Sequence, residues 1–393
     1  MIMIRRKIAI LFPAFWGGGA EAVAAWILQS LMTDYDLTLI TFTKIDFEQI
    51  DRQYGTQLAH SKIRVLVPFN NTFIHRLLDR KYTLLTIKQH LLAWYFRRIK
   101  NSFDLAISAF NEMDLGNPGM QYIHFPLFGW GNETVRHVMG YPDSFARRLY
   151  SRASALLLGY SDRRMRTNLT ITNSNWTADV IKRIYEIEPA IIYPLVSLST
   201  ADILWQNKEN GIVYPTRIVP EKNIVEAINV VRKIRENNFD VHLHILSPSA
   251  DSNYKQHILD IQKGNSSWLF ISENLSRAEL AKMMSGHRYG IHMKNNEPFG
   301  IALAEMVQAG CITFLPLIGG QSEIVGDIPA LKFQTDGEAV EKICAVLSNP
   351  PLQIELQNLL STRKNLFTPE KFYDNLTSLV DQALKQRELA DRK

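Results

Sequence analysis

Short runs of apolar and β-branched residues alternate along this chain with stretches whose apolar positions recur every three or four residues. The runs Lys7–Pro13, Leu37–Phe42, Ile63–Val67, Leu105–Ser108, Gln121–His124 and Leu169–Asn173 read as strands, and 21–32 reads as the first helix. A second series follows a Tyr-Pro-Leu-Val passage near residue 194. Its strands are Gly211–Tyr214, His242–Leu246, Trp268–Ile271, Tyr289–Met293 and Thr313–Leu315, with helices at 223–236, 254–263, 277–284 and 297–309 between them. Strands that alternate with helices predict parallel sheets covered on both faces. The expectation is an α/β chain of two Rossmann-like, doubly wound domains. One spans residues 1–196 and the other 197–369, and leucines at helical spacing predict a last helix within 370–393. In such sheets, ligands bind beyond the carboxyl ends of the strands, here in a cleft between the halves.

Composition adds limits. A length of 393 residues suits two domains, and 46% hydrophobic with 21% charged residues is a globular mixture. No apolar run reaches the roughly 18 residues of a membrane helix. The N-terminal Arg5-Arg6-Lys7 and apolar stretch imitate a signal peptide, but Pro13 and Gly17-Gly18-Gly19 make a first strand the better reading. Only Cys311 and Cys344 are present, so neither a disulfide framework nor a cysteine zinc site is implied, and the cytoplasm is the natural compartment. Residues 1–200 hold 23 Lys and Arg against 16 Asp and Glu, a net of +7; the remainder holds 21 against 23, a net of −2. Much of the excess lies in 76–100 and 147–166. A basic half can face a phosphorylated acceptor or an anionic membrane, and 84–98 mixes apolar, aromatic and basic residues either as an interfacial helix or as a core helix with a basic outer side. No nucleic-acid motif is present.

The richest chemistry lies in Asn296-Glu297-Pro298-Phe299-Gly300-Ile301-Ala302-Leu303-Ala304-Glu305. Two carboxylates stand eight positions apart around a Pro-Phe-Gly turn. With Pro298 at the first helical position, the amides of Phe299, Gly300 and Ile301 would open an anion site, and Glu305 would lie about 12 Å beyond Glu297. That spacing suits hydroxyls at both ends of a ligand and phosphates in its middle, as in a nucleotide-sugar.

This segment, with Gly310 and the later Gly319-Gly320-Gln321-Ser322-Glu323-Ile324-Val325, resembles the signature of glycosyltransferase family 4, retaining enzymes of the two-domain GT-B fold. The resemblance implies a hexosyltransferase whose donor lies in the C-terminal half. Glu297 would hold the hexose hydroxyls, Glu305 the ribose hydroxyls, and Phe299, Gly300 and Ile301 the phosphates and sugar, with Ile271 to Leu275 near the base. Arg217-Ile218-Val219-Pro220-Glu221-Lys222 resembles the family's diphosphate-neutralising segment, although Thr216 stands where glycine is common. Arg217 and Lys222 would stabilise the charge of the leaving diphosphate. Gly18 and Gly19, in Gly17-Gly18-Gly19-Ala20-Glu21, correspond to a glycine loop on the diphosphate, and His124 to a histidine near the donor sugar. Catalysis would thus rest on His124, Glu297, Arg217 and Lys222. Tyr122-Ile123-His124-Phe125-Pro126, Asn173 to Thr177 and Ile291 to Glu297 look like mannosyltransferases that extend lipid-linked oligosaccharide on the cytosolic face, which favours GDP-mannose without excluding UDP-sugars.

The implied partners are the donor, a glycan or lipid-linked acceptor and, through the basic half, the inner membrane face. Two alternatives are a sugar phosphorylase or sucrose-type synthase and a noncatalytic nucleotide-sugar-binding subunit. No metal is expected: Asp34-Tyr35-Asp36 reads as turn residues, and His242, His244, His287 and His292 have no evident third ligand in the sequence.

Overall fold

The computed structural model describes residues 5–69, 85–128, 135, 145–198, 200–201, 203–247 and 252–391. It divides into two units: residues 1–194 with 370–393, and residues 195–369.

In the first unit, β1 (Lys7–Leu11), β2 (Asp36–Ile40), β3 (Arg64–Leu66), β4 (Leu105–Ser108), β5 (Met120–Ile123), β6 (Leu169–Thr172) and β7 (Ala190–Ile191) form a parallel sheet in the order 3-2-1-4-5-6-7. β1 lies inside the sheet and its residues Ile8 to Leu11 are fully buried, which is why it reads as an unbroken apolar run rather than an alternating one. Helix Gly19–Leu31 follows β1 directly. The long helix Pro369–Asp391 belongs to the same body: Phe372 meets Trp26 edge to face, and Tyr35 donates a 2.6 Å hydrogen bond to Asp381.

Helix Leu85–Ile99 settles the two readings of 84–98. Thr86, Lys88, Gln89, His90, Leu92, Ala93 and Phe96 are buried, and Leu92, Ala93 and Phe96 enter the core beside Ala9, Phe42 and Met113. Lys88 lies 4.3 Å over the Trp16 ring, so its charge is held inside the protein. This is a core helix, not an interfacial one. The basic stretch 76–100 falls partly outside the described residues. The exposed apolar row belongs instead to helix Phe145–Leu157, through Phe145, Leu149, Leu156 and Leu157. No helix among the described residues is long and apolar enough to cross a membrane.

In the second unit, β8 (Glu209–Pro215), β9 (His242–Ser247), β10 (Leu269–Glu273), β11 (His287–Ile291), β12 (Ile312–Pro316) and β13 (Lys332–Phe333) run parallel in the order 10-9-8-11-12-13. β8 and β11 are neighbours at the centre, so loops leaving their carboxyl ends meet although some 75 residues separate them. The helices start where capping chemistry allows. Ser276 and Glu279 form a reciprocal capping box, and Thr335 and Asn349 cap the helices that follow them.

Candidate functional site

The carboxyl ends of β8 and β11 bring Lys222 and Glu297 together. After β8 the chain makes a single 3-10 turn, Pro220–Lys222, and then Asn223 adopts a left-handed conformation (φ 52°) that redirects it into helix Ile224–Glu236. Two contacts fix this turn. The Tyr214 hydroxyl donates to the Lys222 carbonyl, and Asn223 Nδ2 donates to the Met293 carbonyl at 3.0 Å. The Lys222 ammonium thereby reaches Glu297 at 2.9 Å. Lys294 lies 3.5 Å from the same carboxylate oxygen and His292 lies 3.9 Å from it. Burial opposes ionisation of Glu297, but Lys222 and Lys294 outweigh it and hold the carboxyl well below the usual range. Burial pushes His292 down to about 4, so its ring is neutral near pH 7. One carboxylate therefore faces two ammonium groups, and the pocket carries surplus positive charge.

The helix after Glu297 does not start at Pro298. Gly300 caps it with φ 96° and ψ 68°, and helix Ile301–Gln308 begins one residue later. A residue with a Cβ would be strained at Gly300 because of this positive φ. Its carbonyl accepts from both Leu303 and Ala304. The helix-start amides are consequently those of Ile301 and Ala302, while Phe299 is buried with its ring against Phe367. Only about half of the interval from Glu297 to Glu305 is helical, so the separation expected from a continuous helix does not hold. The loop is braced from behind: Asn296 N–H donates to Ile318 and Gly320 N–H to Glu297, each at 2.9 Å, while Gln321 Nε2 donates to the Ile318 carbonyl at 2.8 Å.

Glu305 sits one helical turn in, nearly buried, and burial raises its pKa against the pull of Arg277. Arg277 reaches Glu305 at 3.3 Å and Ser197 at 3.1 Å. The sequence reading missed Arg277, Lys294 and the part played by His292. Arg277 opens the helix that Ser276 caps, and His292 directly follows a buried strand, so both occupy positions at which such residues point toward a ligand site. Arg217 remains at the surface, paired with Glu221 at 3.1 Å.

In the first unit, the glycine loop is occupied by the protein itself. Gly17 N–H donates to Glu21 at 2.7 Å and Gly18 N–H to the Tyr54 hydroxyl at 3.1 Å; that hydroxyl in turn donates to Glu21. Gly19 begins the first helix. His124 Nε2 donates to the Ala109 carbonyl at 3.0 Å, which fixes its tautomer and leaves Nδ1 as an acceptor. Burial lowers its pKa to about 4. Asp36 of the Asp-Tyr-Asp sequence is engaged by Arg64 at 2.8 Å. The sequence shows no third group beside His242 and His287, and the fold supplies one. At the amino ends of their strands both converge with Glu209, with ligand atoms within 4.8 Å of one another.

Residues 199–363 match the family profile described as Glycosyl transferases group 1. No protein of curated function matches the sequence. Among solved structures, a glycosyltransferase from Rickettsia africae aligns over 97% of this chain and 99% of its own, with 14% identity and a TM-score of 0.68. Sucrose-phosphate synthase from Thermosynechococcus elongatus aligns over 97% and 100%, with 14% identity and a TM-score of 0.70. HepE from Anabaena, solved with UDP and glucose, aligns over 96% and 100%, with 12% identity and a TM-score of 0.68. The fold is therefore GT-B, with two Rossmann-like parallel sheets, and the family match falls within the second unit.

Proposed function

We propose that this protein transfers a hexose from a nucleotide-diphosphate sugar to a glycan or lipid-linked acceptor, with retention of configuration, as in glycosyltransferase family 4. The observation that carries this reading is the pocket of surplus positive charge where Lys222 and Lys294 share Glu297, beside a helix start, at the carboxyl end of a parallel sheet. The diphosphate draws on Lys222, Arg217 and the first amides of helix Ile301–Gln308. As the glycosidic bond breaks, negative charge grows on the departing phosphate, and fixed cations stabilise that state more than the bound donor. The acceptor hydroxyl attacks the same face of the sugar and gives its proton to the leaving phosphate oxygen, so no protein nucleophile is required. Glu297 orients the hexose hydroxyls and Glu305 accepts from the ribose. His124 enters as a neutral hydrogen-bonding group. These cations supply the charge that a divalent ion supplies elsewhere, and the transfer runs without one.

UDP bound to HepE supports a nucleotide-sugar donor, and the short mannosyltransferase-like segments favour GDP-mannose among the candidates. The likeness to sucrose-phosphate synthase supports a second reading, a sucrose-type synthase. A lipid-linked acceptor fits helix Phe145–Leu157, where exposed Phe145, Leu149, Leu156 and Leu157 stand among Arg148 and Arg152, a composition suited to an anionic membrane surface at the cytoplasmic face. The test is a thermal-shift panel of UDP-, GDP- and ADP-sugars, followed by NMR of the anomeric product from the donor that stabilises most. A ligand at 100 times its dissociation constant adds about 2.7 kcal/mol. No shift with any nucleotide-sugar rejects the proposal, and an inverted product rejects the retaining mechanism.

A further inference from the structure

The amino ends of the second unit's central strands gather a different set of side chains. Glu209, His242 and His287 are the first residues of β8, β9 and β11, and β8 lies between the other two. Register places Glu209 directly opposite His287, and Gly211 directly opposite His242. Gly211 is what lets the cluster close: a Cβ there would lie 2.2 Å from His242 Nε2, so the imidazole leans across the strand into space that only glycine leaves open. His242 Nε2 comes within 3.0 Å of His287 Nε2, and Glu209 Oε2 lies 3.5 Å and 3.8 Å from these two nitrogens.

From this geometry we infer a binding site for a divalent transition-metal ion, with His242, His287 and Glu209 as its protein ligands. Two imidazole nitrogens bound to one tetrahedral zinc, each at about 2.0–2.1 Å, stand about 3.3 Å apart, close to the observed gap. The carboxylate oxygen is slightly farther out and needs only a small side-chain rotation, which its exposure permits. His287 is already set for the task. Its Nδ1 donates to the Met283 carbonyl at 2.7 Å, so in the neutral ring Nε2 carries the lone pair, the arrangement that orients metal-binding histidines. Lys208, the nearest buried cation by sequence, gives its ammonium to the carbonyls of Ala309 and Gly310 at 2.8 and 3.3 Å, and its charge is also felt at His287. Two imidazoles and one carboxylate select Zn²⁺, Ni²⁺ or Cu²⁺ over Mg²⁺ and Ca²⁺. Three protein ligands leave a fourth position open to water. The site shares no residue with the proposed donor pocket, and its metal holds three strands together rather than joining the transfer.

The competing arrangement is a plain hydrogen bond, with His242 donating to His287 and no ion. The full-length protein without an affinity tag, stripped with chelator and dialysed, is titrated with Zn²⁺ by calorimetry, and with Co²⁺ while tetrahedral d–d absorption is followed. One equivalent should bind and raise the Tm, and Mg²⁺ should do neither. His242→Gln should weaken Zn²⁺ at least ~100-fold, beyond the 10–100-fold usual for residues that only support a ligand. Glu209→Gln, at an exposed position where the fold is not at risk, should weaken it ~10-fold or more. Absence of stoichiometric binding to the wild type, or unchanged affinity in either variant, overturns the assignment.

Discussion

The two ends of the second unit's sheet make an instructive pair, because the same strands, β8 and β11, feed both. At the carboxyl ends, Glu297 meets the ammonium groups of Lys222 and Lys294. At the amino ends, Glu209 meets His242 and His287, imidazoles that burial keeps neutral. A carboxylate among ammonium groups is already satisfied and leaves positive charge for an anion. A carboxylate beside neutral imidazoles presents lone pairs, which is the donor set of a cation site. The sheet supplies proximity at either end, and the partner's protonation decides the sign of the ligand.

The sharpest way to break this comparison is at the anion end. Lys222→Ala and Arg217→Ala should each lower kcat by ~10²–10³-fold, the usual cost of removing one donor to developing negative charge, far more than either changes fold stability and with Zn²⁺ affinity unchanged. Wild-type turnover at saturating donor in either variant would remove the diphosphate role. Next in size is the split between the two glutamates. Glu305→Gln should weaken binding of the nucleoside diphosphate ~10-fold or more, because charge-assisted hydrogen bonds are worth about 1.5–3 kcal/mol, whereas Glu297→Gln should mainly depress transfer. Calorimetry with the nucleoside diphosphate on both variants decides; the opposite pattern means that the roles are exchanged. A smaller effect should follow from chelation. EDTA should leave turnover intact and lower the Tm of zinc-loaded protein by a few degrees. Turnover lost in EDTA and restored by Mn²⁺ would bring metal chemistry to the wrong end of the sheet.

The smallest effect concerns His292, whose folded pKa of about 4 lies below its ordinary value of 6.5. Between these values the unfolded chain binds a proton that the folded chain refuses, so stability should fall as pH drops from 6.5 toward 4. Urea midpoints across that window should show a shallower slope in His292→Gln. An unchanged slope would show that His292 does not contribute to it.

The strands of both sheets were legible because parallel strands buried on both faces concentrate apolar residues, as Ile8 to Leu11 and Ile312 to Pro316 do. β7 and β13, two residues each, are too short to leave a pattern. The helix start after Glu297 was misplaced because Pro298 fits a first helical position by propensity, while Gly300, two residues on, takes a left-handed conformation that sequence does not signal in that context. Lys294, three positions before Glu297, was within reach of a spacing argument although the sequence reading passed over it. Glu209, His242 and His287 were not: 33 and 45 positions separate them, and only the order β9-β8-β11 makes them neighbours. Helix 84–98 was ambiguous for another reason, since a buried lysine stacked on Trp16 leaves the same letters as a solvated one.

The pairing of loop 296–300 with loop 318–321 has a consequence for protein engineering. Asn296 hangs from Ile318, Gly320 hangs from Glu297, and Gln321 ties the second loop back on itself. Chimeras that import one loop from a relative would inherit half of a matched set, with Glu297 carried on a backbone whose counterpart expects a different shape. A swap that keeps the two loops matched therefore runs from Asn296 through Gln321, helix and strand included.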